Sequence, residues 1–155
     1  MFKKLMILPL ALTALAVNAD QVELDKHRVP QREPAKNFKE VAAALGHGHQ
    51  LHAVINLEKC ETNAAHPVNM IASVHPEKAL LIRGEKVTFA NTHFTTHHPR
   101  HQDIPVFQHT KYVLNKDNSF TIHVDALNPQ TYETMGEGMK AKCELNQGVY
   151  IYSGR

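Results

Sequence analysis

Four of the nine residues in the stretch HFTTHHPRH are histidines: His93, His97, His98 and His101. A second group, His47, His49 and His52, falls in GHGHQLH, where a glycine turn could bring the rings together. Neutral imidazole is a common metal ligand, and a zinc or copper site needs three or four converging donors. In a regular strand His93 and His97 share a face while His98 points away. Pro99 confines His98 to extended backbone, which places His98 and His101 in a turn. Arg100 adds a positive charge to the cluster, whose nearest carboxylate is Asp103. Three exposed imidazoles on a turn must lose conformational freedom before they converge on a metal. The reading is therefore a solvated polar loop with weak metal affinity, and a zinc or copper site on these residues is the alternative. His93 falls on the same strand face as Val87 and Phe89 and is expected to be a buried, hydrogen-bonded histidine. His52 and His123 face outward and are expected to be solvated.

Cys60 and Cys143 are the other residues with chemistry of their own. Neither sits in a C-x-x-C pair, and their meaning depends on the compartment. The segment MFKKLMILPLALTALAVNA has Lys3 and Lys4 at its start, an apolar run from Leu5 to Val17, and small residues at Val17 and Ala19. This is the pattern of an exported chain cleaved after Ala19. The run is too short to span a bilayer, so no stable membrane insertion is expected after cleavage. In the periplasm or outside the cell, two cysteines are expected to form one intramolecular disulfide. Closing that 84-residue segment contributes about 4.5 kcal/mol in the chain-entropy model.

The chain has 17 basic and 15 acidic residues, and removal of Lys3 and Lys4 leaves 15 against 15. A neutral domain has no general electrostatic reason to bind nucleic acid. The 12 histidines would add positive charge on acidification toward about pH 5. No G-x-S-x-G elbow, H-E-x-x-H helix or phosphate-cradling glycine loop is present, so no enzymatic activity is expected.

The elements that must position these residues follow from periodicity. Residues 20–36, DQVELDKHRVPQREPAK, are charged, hold two prolines and read as a flexible leader, with one domain over residues 37–155. NFKEVAAALG predicts a short helix capped by Asn37, with Glu40 reaching back and Gly46 in the left-handed C-terminal position. Its apolar face is Phe38, Val41, Ala42 and Leu45. The period then changes to two. LHAVINL, ALLIR, KVTFA, PVFQHTKYVL, SFTIHVD and GVYIYS are strand candidates, with turns at Arg83-Gly84-Glu85 and NKDNS. NPQTYETMGEG breaks the pattern and reads as a turn or a single helical turn. One helix followed by six to eight short strands predicts an α+β domain. Its helix packs on a mostly antiparallel twisted sheet or half-open barrel.

Several of these pieces resemble the VirK family of small exported bacterial proteins. They are FKEVAAALGHG, LEKC, KVTFANTHFT, KYVLNKDNSFTIHV, LNPQTY, and a cysteine followed closely by GVYIY. The resemblance covers roughly residues 37–152. It implies an exported protein linked to virulence or host association, with no biochemical activity to carry over. It also implies that Cys60 and Cys143 are the family's pair and that Phe89, His93 and Phe94 lie on its central strand. His97, His98 and His101 depart from that pattern. The function expected is a non-enzymatic accessory or interaction protein with a protein partner in the envelope or the host, and no cofactor. The alternative is a periplasmic histidine-rich protein that binds zinc or copper.

Overall fold

The helix forms where its spacing places it. In the computed structural model, which describes residues 33–98 and 100–154, α1 spans Phe38–Gly46. The Asn37 side chain accepts the Glu40 backbone N–H at 3.2 Å, and the Glu40 carboxylate accepts that of Lys36 at 2.8 Å. Phe38 and Val41 are buried. Gly46 is the last helical residue, and the left-handed position falls instead on Gly48 with φ 76°. The chain docks two residues before the expected start at Asn37. Ala35 N–H donates to Ile151 O at 2.7 Å, and the Asn146 amide donates to the carbonyls of Ala35 and Lys36. The expected signal segment and most of the leader lie outside the described residues.

Among the described residues nine strands follow, all paired antiparallel, in two sheets. One has β1 (Gln50–Asn56) between β3 (Ile71–Val74) and β9 (Val149–Gly154). The other is a meander of β4 (Ala79–Ile82), β5 (Lys86–His98), β6 (His101–Asn115), β7 (Ser119–Leu127) and β8 (Met139–Glu144), with β2 (Glu61–Thr62) beside β8. Neither sheet closes into a barrel. The α1 helix lies against β1, β4 and β9. The core lies between the sheets: Leu51, Ala53 and Ile55 from β1 and Ile151 from β9 meet Val87, Phe89, Leu114, Phe120 and Ile122. Strand alternation alone selects these residues, because only one face of each strand is covered.

The chain changes sheets four times: after β1 through the turn Leu57–Lys59, on either side of β3, and again between β8 and β9. The Cys60–Cys143 disulfide joins the first of these crossings to the last, with α-carbons 4.5 Å apart. Gly148 lies against the bridge. A Cβ there would stand 2.8 Å from Cys60 Sγ, 3.2 Å from Lys59 O and 3.3 Å from Cys143 Cβ.

The six-stranded sheet runs past its core. β4 pairs with β5 only from Lys86 to Phe89, and β7 pairs with β6 only from Phe107 to Leu114. β5 and β6 continue together to the His98–His101 pair as a two-stranded arm. Near its tip Thr95 pairs with Val106 and His97 with Gln102, so β6 carries extra residues around Asp103, which has φ 60°. Such a bulge raises the local twist.

Candidate functional site

The arm changes the reading of the first histidine group. His93 does share a face with Val87 and Phe89, but it is exposed and not buried, because the covering layer ends before it. His98 and His101 sit on strands rather than in a loop, and His98 is only 8% exposed. Its ring stacks on His101 at 5.1 Å, and its Nδ1 accepts the Arg100 N–H at 3.3 Å. Burial first, then the neighbouring His101, Arg100 and His93, hold the His98 imidazole below its ordinary pKa. The tip is tied to the segment after β7: His101 Nε2 lies 3.1 Å from Met135 O, and Arg100 Nη1 donates to Glu137 O at 2.6 Å. His97 turns to Thr96, its Nδ1 3.1 Å from that hydroxyl.

The second group is divided as well. His47 and His49 stand 6.3 Å apart after α1. His52 is half-buried rather than solvated. It stacks on His75 at 3.9 Å, and its Nε2 lies 2.9 Å from Ser73 Oγ. Burial and then His75 lower its pKa. Among the described residues no three His, Cys, Asp or Glu side chains converge as a metal set. Six of the histidines stand in pairs, His47 with His49, His52 with His75 and His98 with His101.

The arm instead brings apolar and backbone groups into the open. From Ala90 to His98, β5 has β6 on one side and no strand on the other among the described residues. Alternate residues of such an edge direct backbone N–H and C=O groups outward, where another strand could pair with them. Beside this edge Phe94 is 57% exposed, and its register partner Phe107 lies edge-on at 5.7 Å. Tyr132, 67% exposed, stacks parallel on the other side of Phe107 at 5.8 Å. Tyr132 holds a left-handed backbone, φ 59°, which for an aromatic residue costs of order 1–3 kcal/mol. Its N–H donates to Asn128 O at 2.8 Å, while the Asn128 side chain accepts the N–H groups of Gln130 and Thr131. A tightly bonded turn thus sets a strained tyrosine in the open, on the aromatic row that ends at the free edge.

Sequence periodicity does not reveal this surface. Phe94 and Phe107 each look like an ordinary strand residue, and Tyr132 falls in a stretch read as a turn. The available signal is that LNPQTY belongs to the resemblance although it has no core periodicity.

Curated proteins give no match to the chain. The crystal structure of lpg1832, a VirK family protein from Legionella pneumophila, is 28% identical and has a TM-score of 0.73, covering 77% of this chain and 98% of that one. The family model described as "VirK protein" matches residues 34–132, which include α1, the arm and Tyr132 but end before Cys143. The chain belongs to the VirK family.

Proposed function

We propose that this chain is an exported, non-enzymatic interaction protein that takes an extended segment of a protein partner along the free edge of β5. The observation that carries this reading is the stretch from Ala90 to His98, free of a strand on its outer side among the described residues, beside the row of exposed Phe94, half-buried Phe107 and exposed Tyr132. A strand added there would continue the line of β4, which occupies the same edge of β5 up to Phe89. Main-chain bonds would supply affinity and the aromatic row selectivity, as in strand addition to other sheet edges. Export is supported by the N-terminal pattern and by the disulfide, a bond that persists in oxidising compartments. Among the described residues no helix is long and apolar enough to cross a membrane.

The test places a photo-crosslinking residue at Ala90 on the edge, or at the exposed Ala43 on α1, in the producing cell with and without host contact. A defined protein product at position 90, absent at position 43 and lost when Phe94 and Tyr132 become serine, is the expected result. Equal products at both positions, or products indifferent to Phe94 and Tyr132, would refute the reading.

A further inference from the structure

The outer face of the six-stranded sheet holds a groove apart from the free edge. Strand register puts Lys111, His123 and Lys140 in one cross-strand row and Val113, Thr121, Lys142 and Glu61 in the next. The groove between them encloses about 580 Å³. That volume lies in the range of small-molecule sites. Neighbouring strands lie about 4.8 Å apart, and alternate residues of one strand about 7 Å. The stems of Lys111, Lys140 and Lys142 therefore rise roughly 7 to 12 Å from one another.

Charge is unbalanced in this space. Glu61 is the one carboxylate among the lining residues, against three ammonium groups, and His123 pairs outside the lining with Asp125 at 3.3 Å. Among the described residues none of the three lysines has a carboxylate within ion-pairing distance. One wall is fixed by Asn63, whose side chain accepts Lys140 N–H at 2.7 Å and donates to Gly138 O at 3.3 Å, while its own N–H donates to Lys140 O at 3.1 Å. The floor is different in character. Val113 faces outward there, and lysine stems present methylenes beneath their charged ends. Across the sheet from Val113, the same row continues through Thr88 to Leu80, which is 61% exposed.

We propose that this groove binds a single amphiphilic organic anion. Its phosphate, sulfate or carboxylate sits among Lys111, Lys140 and Lys142, and its apolar body lies over Val113 toward Leu80. A purely inorganic anion would leave Val113 and Leu80 in water, and a neutral amphiphile would leave three ammonium groups unpaired. Neither matches both halves of the row.

Amide NMR titration of the exported protein with octyl phosphate tests the proposal, with inorganic phosphate, octyl glucoside and phosphatidylglycerol vesicles as comparisons. The expected result is saturable one-to-one binding of octyl phosphate, with shifts confined to Asn63, Val113, Thr121 and Lys140 and their neighbours. Changing Lys111→Gln and Lys140→Gln together should weaken it about tenfold or more. The remote Lys39→Gln on α1 should leave it unchanged, and Val113→Ser should weaken octyl phosphate while sparing inorganic phosphate. All these side chains are on the outer face or the surface, so melting temperature should stay close to wild type. Equal affinity for octyl glucoside or inorganic phosphate would overturn the proposal. So would binding indifferent to the double lysine change, or attachment to vesicles with no one-to-one octyl phosphate complex.

Discussion

Replacing both Cys60 and Cys143 by alanine should cost the fold a large share of its stability. The bridge ties residues 83 apart in sequence, and for a closed segment of that size the chain-entropy relation gives about 4.5 kcal/mol at 25 °C. Small domains that lose a native disulfide typically lose about 2–5 kcal/mol, so the structure places this one toward the upper end. Position supports the estimate. The bridge closes the corner where the chain leaves β1 for β2 and leaves β8 for β9, so it holds the first and last of the four crossings between the two sheets. Cys143 is also buried in the core, and its loss removes packing as well. Urea unfolding of the oxidised wild type and the double variant is the assay, read as midpoint and slope. With a slope of about 2 kcal/mol per molar, the midpoint should fall by roughly 2 M. Reduction of the wild type should reproduce most of the change. A loss below about 1 kcal/mol with an unchanged slope would refute the claim that the bridge constrains the fold at this corner.

Three further outcomes follow from particular residues. Gly148→Ala should destabilise by about 1–3 kcal/mol in oxidised protein, since the new methyl meets the disulfide and the Lys59 carbonyl, and urea midpoints would show it. The lowered pKa values of His98 and His52 mean that the fold prefers both rings neutral. Their contribution is full above the unfolded value near about 6.5 and is lost as pH falls through the folded values. The urea midpoint should therefore drop between pH 7.5 and 5.5, and less so in His98→Gln with His52→Gln; an equal drop in the double variant would contradict this assignment. Calorimetry with zinc or copper at pH 7 should show affinity in the micromolar range or weaker, because among the described residues no three ligand side chains converge. A nanomolar one-to-one site abolished by changing His97, His98 and His101 to alanine would contradict that expectation.

Much of the fold was legible because local rules act where a single covered face decides. The cap at Asn37 and the buried Phe38 and Val41 follow from helical spacing. Leu51, Ala53 and Ile55, like Phe120 and Ile122, follow from alternation. The cysteine bridge follows from compartment logic rather than from pattern. Strands β2, β3 and β8 escaped for a different reason. β2 is two residues long, β3 exposes Ile71, and β8 alternates lysines with small residues, so none presents an apolar run of its own. His93 shows the sharper limit. Its face was assigned correctly, but alternation does not say where the opposing layer stops, and exposure depends on that layer. The row of Phe94, Phe107 and Tyr132 lies beyond the same boundary. It is assembled by strand register and a strained turn, contacts that no local period encodes.

The central claim is that the edge of β5 beyond Phe89 is where a partner strand pairs. Amide hydrogen exchange, resolved by residue and measured on the free protein and on its crosslinked partner complex, addresses it directly. In the free protein, alternate amides from Ala90 to His97 should exchange far faster than those of Val87 and Phe89, which β4 and the core protect. In the complex those same alternate amides should slow by orders of magnitude, while α1 stays unchanged. A complex that forms and leaves the exchange of residues 90–97 as it was would contradict the account.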